Sequence, residues 1–514
     1  MNDTAKSDRA ANLTRTTLVG GSWLTLSAMA QVILQFVAVG VLARLLTPAD
    51  FGVVAAAMVI IELTQSIAQL GMRPAVVQRS TLTDEDIRIA FTLAMTISLV
   101  LAAGLFLLSG PLSQLVATPA ARPMLQVLSI AFIIQSLGTV AEGIAARQRK
   151  FGLLAARRLG SYLIGYGVIG VGCAVAGLGP WSLVAAKLGE VSSAAILLSL
   201  GIRHPRRPLW RRDTIRQLGN FGAGYSVGQI LNTFANQADF AVVARLLGPA
   251  ALGLYSRSYQ IMRLPALLLG NVVEDVAFPG MSAVQDDRAR LARGLYRGLL
   301  LMNMVLYLAA AACCVLAPEL IAIALGPKWD NAAPLLALFA LAIPFRSTQR
   351  LASTTARATG ANWQIAWRQG VYFLAVAAGA ALGSRWGLQG VVAGVSLAIL
   401  LQMAMQLHLA ADVTGLSVRR LIEAHLRPIP ALLFFTIPMA GTAFAARAAG
   451  LPPVLIVPLA GAAGGIILFI GAVLLPNPVL TLDGQELAKA IGRKLPARVS
   501  RLIARVATRG RVSE

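Results

Sequence analysis

The chain has 514 residues, of which 57% are hydrophobic and only 13% are charged, and its mean hydropathy is +0.71. These proportions exclude an ordinary soluble domain, in which apolar and charged residues are more evenly balanced. A net charge of +23 would suit a nucleic acid partner, but the basic residues lie between apolar runs rather than on one soluble surface, which excludes that class.

The predicted elements are membrane-spanning helices. The polar residues 1–16 precede a long apolar segment without a small-residue cleavage site, so we expect the first helix to stay as an anchor. A span needs about 20 apolar residues, and the chain offers fourteen candidates: 17–41, 51–70, 89–110, 123–145, 159–176, 180–201, 217–243, 250–273, 298–317, 331–345, 369–384, 386–411, 428–446 and 452–475. We therefore predict an all-α polytopic membrane protein with about 14 transmembrane helices. The segment 331–345 is short, and we expect its helix to continue past Arg346 into the cytoplasm.

The orientation follows from the positive charges. With the N-terminus inside, 36 of the 45 Lys and Arg residues fall in inner segments, 6 in outer loops and 3 within spans. Cytoplasmic loops retain Lys and Arg, and this alternation continues through all fourteen helices. We predict a multi-pass protein of the bacterial inner membrane with both termini in the cytoplasm.

An internal repeat organises the chain. VLARLLTPADFG at 41–52 and VVARLLGPAALG at 242–253 are identical at eight of twelve positions, with an offset of 201. Because both begin on the same side of the membrane, they indicate parallel repeats related by an axis along the membrane normal, which suit alternating access. The predicted domains are two pseudo-symmetric six-helix lobes (1–203 and 214–412) and a C-terminal helix pair (426–475). A basic amphipathic tail (482–514) is expected to lie on membrane lipid.

Two interpretations of the repeat stay open. Arg44 and Arg245 sit in the last turn of a helix, where a cation meets the negative end of the helix dipole, and Pro48 and Pro249 stop the helix, with Asp50 able to cap the next one in the first repeat. In the functional alternative, the two arginines contact an anionic head group at the outer mouth.

Several segments together resemble a known family. ARLLTPADFGVVA, QLGMRPAVVQRSTLTDEDIRIAF, GPWSLVAAKLG, LLGPAALGLYSRSYQIMRLP, FPGMSAVQDD and LGPKWDNAAPLLALFALA occur in that order. They resemble the polysaccharide-export branch of the superfamily that also holds multidrug extruders and lipid-linked peptidoglycan flippases. The resemblance covers roughly 40–345. It implies a two-lobed flippase that moves an undecaprenyl-diphosphate oligosaccharide to the outer leaflet for exopolysaccharide, capsule or O-antigen assembly, with no cofactor and with H⁺ or Na⁺ coupling.

Such a substrate needs a polar, preferably cationic, lumen, because burying unpaired charge is costly. Charged residues within spans usually face a bundle interior or an aqueous cavity. Arg257 and Arg263 are the first candidates for the diphosphate, since an Arg fork holds phosphate oxygens in a bidentate manner; Arg257 would otherwise snorkel. Lys187 offers an ammonium to phosphate while Glu190 tunes it or takes a proton, or the two form a structural ion pair.

Acidic and amide groups complete the candidate site. Glu62 and Arg263 occupy equivalent positions at the repeat offset, so we hypothesise that they pair in one conformation. Asn232 and Asn236 can bind sugar hydroxyls and Asp239 can carry a coupling proton or help hold sodium; in the alternative interpretation this stripe is a polar helix contact.

Other classes are less well supported. The chain has three histidines without metal-ligand spacing and lacks a phosphate-binding Gly-rich loop, and its outer loops are short for a membrane glycosyltransferase, so we predict no enzyme. The alternatives are a drug or cation antiporter, which would need an acidic or aromatic pocket, or another lipid flippase. Cytoplasmic glycosyltransferases and the polysaccharide polymerase machinery are possible partners of the basic loop at 203–212 and of the tail.

Overall fold

The computed structural model describes residues 27, 29–68, 83–205, 207–272 and 277–474. These residues form helices and connecting turns, and no strand occurs among them, which confirms the all-α prediction. Contacts divide the chain into two compact units, Met1–Leu254 and Tyr255–Glu514. The predicted tail at 482–514 lies outside the described residues, and the lobe boundaries drawn from the repeat stay a prediction.

Among the helices of the first unit, α3 opens with a capping box. Thr83 caps α3, since its hydroxyl accepts a hydrogen bond from the Asp86 N–H (3.2 Å) and the Asp86 carboxylate accepts one from the Thr83 N–H (3.1 Å). The helices are α1 (Met29–Leu45), α2 (Pro48–Ala68), α3 (Asp84–Leu107), α4 (Ser109–Leu115), α5 (Ala121–Arg147), α6 (Phe151–Val175), α7 (Trp181–Gly201) and α8 (Arg212–Val272), which is broken at Gly248 and continues into the second unit.

The core of the first unit lies between α3, α5 and α7. Phe91, Ala141 and Leu198 are buried there, one from each helix. Helix α6 changes to π-helical geometry over Leu163–Gly170, and a Cβ atom on Gly165 would lie only 2.6 Å from the carbonyl oxygen of Ala186. A glycine is therefore required where α6 meets α7.

The basic segment after α7 follows the beginning of α3. The Arg88 guanidinium donates to the Arg207 carbonyl oxygen (3.0 Å), and the Leu209 N–H donates to the Thr92 hydroxyl (3.0 Å). Arg211 forms an ion pair with Glu85 at 2.6 Å. The predicted basic loop thus has defined contacts with α3.

After the end of α8, the described part of the second unit contains a single-turn helix (Phe278–Ser282) and nine α-helices of eight or more residues, which we number in chain order. They are α9 (Arg288–Val315), α10 (Ala317–Ala324), α11 (Ala333–Ala340), α12 (Ile343–Ala358), α13 (Asn362–Gly383), α14 (Gly387–Thr414), α15 (Val418–Leu426), α16 (Ile429–Ala448) and α17 (Pro453–Leu474). Helices α13 and α14 approach closely at paired glycines: a Cβ on Gly383 would lie 2.2 Å from the Gly390 carbonyl oxygen, and one on Gly394 would lie 2.1 Å from that of Gly379. Small residues four apart permit such backbone contact in membranes.

Helices α11 and α12 correct the expectation of one continuous helix through 331–345. The helical path does continue past Arg346, to Ala358, but the two helices are bent by 47°. Pro344 explains the break, because it has no N–H to donate to the Ala340 carbonyl in the preceding turn. The two helices together are long and apolar enough to form one bent span.

The described helices are consistent with a multi-pass membrane protein. Ten are long and apolar enough to cross a bilayer, and the bent pair makes up to eleven. Each of the fourteen predicted segments overlaps a described helix, so the count of fourteen is compatible with the fold and stays a prediction. Trp363 and Trp386, 80% and 75% exposed, flank α13 at a separation of about 34 Å at the rise of a helix. This spacing matches the aromatic belts of a bilayer.

Candidate functional site

A polar surface in the first unit joins three helices. The Gln237 amide on α8 donates to the Glu62 carboxylate on α2, and the Gln65 amide donates to the Gln135 side-chain carbonyl on α5 at 2.6 Å. The predicted sugar ligand Asn236 donates to the Asn232 backbone oxygen (2.6 Å) and to its side-chain oxygen (3.2 Å). The structure therefore brings together Asn232, Asn236 and Glu62 through Gln237, and we call this group, with Gln65 and Gln135, the amide surface.

The internal repeat extends this pattern to α1. Gln31 and Gln35 lie 201 positions before Asn232 and Asn236, which is the repeat offset, and both are half-buried. Each repeat therefore carries an amide pair with i, i+4 spacing on its first helix, where side chains share one face. Amides both donate and accept hydrogen bonds, as sugar hydroxyls require.

Asp239 is buried beneath this surface. Its side chain is 2% exposed and accepts a hydrogen bond from the Phe240 N–H at 3.0 Å. Its role in proton or sodium coupling stays a prediction. The Glu62–Arg263 pair also stays a prediction.

Lys187 and Glu190 pair along one face of α7. The Lys187 ammonium lies 2.8 Å from the Glu190 carboxylate, and both side chains are about one quarter exposed. This is the contact that their three-residue spacing predicts. It is a contact within one helix, and a role of Lys187 toward phosphate stays a prediction.

The repeat arginines have different surroundings. The Arg245 guanidinium donates to the carbonyl oxygens of Gln114 (3.2 Å) and Leu115 (3.0 Å), the last two residues of α4. The Gln114 carbonyl also accepts a hydrogen bond from the Ala117 N–H (2.9 Å), and Arg245 adds a side-chain cap to this C-terminus of α4. Arg44 is exposed at the equivalent position. The structural interpretation of the motif thus has a defined contact at Arg245, and the head-group role of both arginines stays a prediction.

The cap that follows Arg44 has one more member than expected. Asp50 accepts hydrogen bonds from the Thr47 N–H (2.9 Å) and hydroxyl (2.7 Å), while the Asp50 N–H donates to the same hydroxyl (3.2 Å). Thr47 is therefore the N-cap of α2, and Asp50 is its reciprocal partner.

The two copies of the repeat cross each other in the first unit. A Cβ atom on Gly52 would lie 1.7 Å from the carbonyl oxygen of Pro249, and one on Gly253 would lie 1.8 Å from that of Pro48. Gly52 and Gly253 are equivalent at the offset of 201, and so are Pro48 and Pro249. The contact is therefore reciprocal, and we call it the repeat crossing.

Arginines of the second unit gather around a buried tyrosine. The Arg263 guanidinium lies 5.9 Å from the Tyr259 ring centroid, and that of Arg346 on α12 lies 5.2 Å from the same ring. Arg257 donates to the Gln260 side-chain oxygen at 2.6 Å. Cations within about 6 Å of an aromatic face are attracted to it. Tyr259 therefore positions Arg263, which is a predicted site residue, and Arg346, which the sequence analysis does not assign to the site.

Arg346 belongs to a polar stripe along α12, which we call the arginine arc. Its members span about 100° of the helix and about 16 Å of its length, and they are half-buried or exposed. The opposite face is buried. The arc consists of Arg346, Gln349, Arg350, Ser353 and Arg357, and the buried face includes Ser347, Leu351, Thr354, Thr355 and Ala358.

Sequence reasoning assigned these arginines to a cytoplasmic loop and gave them no site role. Their i, i+4 and i+11 spacing was the available signal. It also missed the Arg157–Glu142 ion pair (2.7 Å) between α6 and α5, and Arg368, which is buried and stacks on Trp367 at 4.5 Å.

Acidic groups outside the spans include one strong pair. Burial would raise the pKa of the Glu319 carboxyl, but hydrogen bonds of 2.7 and 2.8 Å from Arg447 and the charge of that guanidinium hold the pKa below its ordinary value. Within the described part of the chain, no group of three or more His, Cys, Asp or Glu residues could hold a metal ion.

An all-helical fold with ten or eleven apolar spans among the described residues and polar groups on its spanning helices defines the class of polytopic membrane proteins. The sequence profile of the polysaccharide biosynthesis protein family matches residues 41–334, and the chain belongs to that family. The chain is 28% identical over 323 residues to the succinoglycan biosynthesis transport protein ExoT of Rhizobium meliloti, covering 62% of this chain and 64% of that protein. It is 24% identical to the lipopolysaccharide biosynthesis protein WzxC of Escherichia coli, covering 65% and 68%.

Solved structures share the fold. The lipid II flippase MurJ, in an inward closed conformation, superposes with a TM-score of 0.68 at 13% identity over 87% of this chain and 98% of its own. An inward-facing multidrug resistance transporter of the MATE family, of the MOP superfamily, gives 0.61 at 14% identity over 75% and 95%. The resemblance inferred from the motifs is confirmed.

Proposed function

We propose that this chain is a flippase that moves oligosaccharide units linked to polyprenyl diphosphate across the cytoplasmic membrane by ion-coupled alternating access. The product would serve the assembly of a surface polysaccharide. Family membership supports the biosynthetic setting, and the transport named for the ExoT relative supports the type of activity. The proposed site is the inner membrane with both termini inside, and the distribution of Lys and Arg supports that orientation.

The arginine arc of α12 is the observation that carries the proposal. Snorkelling cations at a membrane boundary need only the last turn of a helix, but the arc continues over about three turns on one face of a bent span. Lipid contact along that face would be costly, so the arc faces an aqueous path. Planar guanidinium groups hold phosphate oxygens in pairs, and a drug extruder for organic cations would need the opposite charge.

The amide surface of the first unit suits the other part of the substrate. Asn232, Asn236 and Gln237 offer paired donors and acceptors without a net positive charge, as sugar hydroxyls need. Arg257, Arg263 and Lys187 remain candidates for the diphosphate, and Glu62, Glu190 and Asp239 for coupling. Contacts with cytoplasmic glycosyltransferases and the polymerase machinery belong to the same proposal.

Gene deletion with complementation tests the proposal. Cells without the protein should lose a surface polysaccharide and accumulate its lipid-linked unit with the glycan facing the cytoplasm. Arg346→Gln combined with Arg350→Gln should fail to restore export, whereas the matched exposed variant Arg385→Gln should restore it. A normal surface polysaccharide together with lost drug resistance would refute the flippase and favour the antiporter.

A further inference from the structure

His425 lies in a chain of hydrogen bonds that links three helices of the second unit. Its Nδ1 is 2.9 Å from the Leu421 carbonyl oxygen, and its Nε2 is 3.3 Å from the Thr348 hydroxyl. That hydroxyl is 3.2 Å from the Asn303 side-chain oxygen, and the Asn303 amide donates to the Ala424 carbonyl oxygen at 3.1 Å. Three of these four contacts join α15, α12 and α9, and the contact with Leu421 lies within α15.

The last contact exists because of a proline. In a continuous helix the N–H of residue 428 would bond to the Ala424 carbonyl, but Pro428 has no N–H. The chain passes from α15 to α16 at this point. Asn303, which is fully buried, supplies the missing donor. The hydrogen-bond chain therefore ends on the orphaned carbonyl of the α15–α16 break.

Counting protons distinguishes the three forms of the His425 ring. With hydrogen on Nδ1 alone, Thr348 has one hydroxyl proton for two acceptors, the His425 Nε2 and the Asn303 oxygen. With hydrogen on Nε2 alone, the bare Nδ1 faces the Leu421 oxygen, so two acceptors meet. Only the imidazolium satisfies all four contacts, because both ring nitrogens donate and Thr348 donates onward to Asn303.

We propose that His425 is a proton-binding site and that, on the basis of the proposed flippase function, the coupling ion is a proton held here. Binding of the proton completes the chain and holds the α15–α16 break against α9 and α12. Its release leaves one buried acceptor without a donor, which favours the separation of these helices. The proton thus changes the contacts at the junction of α15 and α16. A change in helix direction there breaks few backbone hydrogen bonds, because Pro428 already lacks an N–H donor.

The surroundings of His425 act on an imidazolium in both directions, since partial burial of the ring and nearby arginines oppose positive charge while the helix end favours it. His425 lies in the last turn of α15, where the negative end of the helix dipole favours positive charge. Among the described residues, no ion pair reaches His425. The charged groups on the adjoining helices are Arg288, Arg290, Arg293 and Arg297 on α9, Arg346, Arg350 and Arg357 on α12, the His408–Asp412 pair on α14, and Arg419, Arg420 and Glu423 on α15, with Glu423 paired to Arg427 just after that helix.

The protonation of His425 can be measured without any substrate. The protein, labelled with ¹⁵N-histidine and reconstituted in lipid nanodiscs, has three histidines, and His425→Gln assigns the signal. We expect the His425 ring to take up its second proton as the pH is lowered from 7 to 5, so that both ring nitrogens carry hydrogen at pH 5. Thr348→Val, which is isosteric, should lower the proton affinity about tenfold, a shift of about one pH unit, and Thr348→Ser should restore it. Thr355→Val removes another buried hydroxyl of α12 and should change nothing.

A neutral His425 ring down to pH 5, or a midpoint equal in wild type and Thr348→Val, would overturn the proposal. Coupling is then measured in proteoliposomes that contain the lipid-linked oligosaccharide accumulated by the deletion strain. An imposed pH gradient should stimulate wild type and the exposed-site control His408→Gln, but not His425→Gln. Full stimulation of His425→Gln would refute the coupling role. If wild type moves no glycan at all, the flippase function fails, while the nanodisc titration still decides the proton site.

Discussion

The repeat crossing makes a prediction about two glycines that lie 201 residues apart. Replacing either Gly52 or Gly253 by alanine puts a methyl group into a backbone carbonyl, at 1.7 Å from Pro249 and 1.8 Å from Pro48. The shortest tolerated approach is about 3.0 to 3.4 Å, so the chains must move apart by about 1.5 Å. Neither neighbour is the flexible end of a side chain, so the backbone itself must shift.

Overpacking of this kind costs about 1–3 kcal/mol. The effects should also be strongly non-additive, because both methyl groups act on one contact. Once the chains have separated for the first methyl group, the second finds part of the space it needs. We therefore expect the Gly52→Ala, Gly253→Ala double variant to lose clearly less stability than the sum of the single losses, with a coupling of about 1 kcal/mol or more.

The assay is a double-mutant cycle on the purified protein in detergent, read as the shift in unfolding temperature and in denaturant midpoint. Gly104→Ala is the control, since a Cβ there would meet nothing within 4 Å, and alanine in that helix should be neutral or stabilising. Additive losses, or destabilisation by only one of the two substitutions, would refute a reciprocal contact.

Three further predictions concern contacts at the ends of helices. Arg447→Ala should cost about 2–3 kcal/mol, because it leaves the Glu319 carboxylate, 4% exposed, without its partner, although the Arg447 side chain is itself 38% exposed. Arg447 holds the pKa of Glu319 below its ordinary value of 4.5, so the stabilisation by this pair is complete above pH 4.5 and is lost as the pH falls. Unfolding measured from pH 3 to 7 should show this loss of stability at acid pH in wild type and not in Arg447→Ala. Thr83→Ala should cost about 0.5–2 kcal/mol in chemical denaturation by removing the cap of α3. Glu85→Gln should change stability by less than about 1 kcal/mol at any salt concentration, because its ion pair with Arg211 is largely exposed.

The plan of the helices could be predicted because it depends on the composition of each segment. A bilayer selects for apolar length and for the position of basic residues, and both are local properties of the sequence. The break between α11 and α12 was missed although Pro344 marked it, because the segment was judged by hydropathy alone. That choice also moved Arg346 out of the span.

The site was less predictable, because its contacts join residues far apart in the chain. Lys187 and Glu190 pair as their spacing indicates, since they share a helix. Glu62 accepts a hydrogen bond from Gln237, and this contact depends on how α2 packs against α8. The sequence marks His425 only as one of three histidines without metal-ligand spacing. The residues next to it in the chain give no sign of its contacts with Thr348 and Asn303. The available signal in the sequence was Pro428, because a proline leaves the carbonyl four residues before it without a helical N–H donor.

The repeat crossing also bears on how the two halves of the sequence can change over time. Each copy of the motif is both the intruding surface and the receiving one, so a larger side chain at either glycine meets the same obstacle. A larger side chain is therefore disfavoured at both glycines, because either substitution disrupts the same contact. The glycine and the proline that form this contact are among the eight identities of the twelve-residue repeat. The two copies of the repeat thus keep the same residues at the positions where they contact each other.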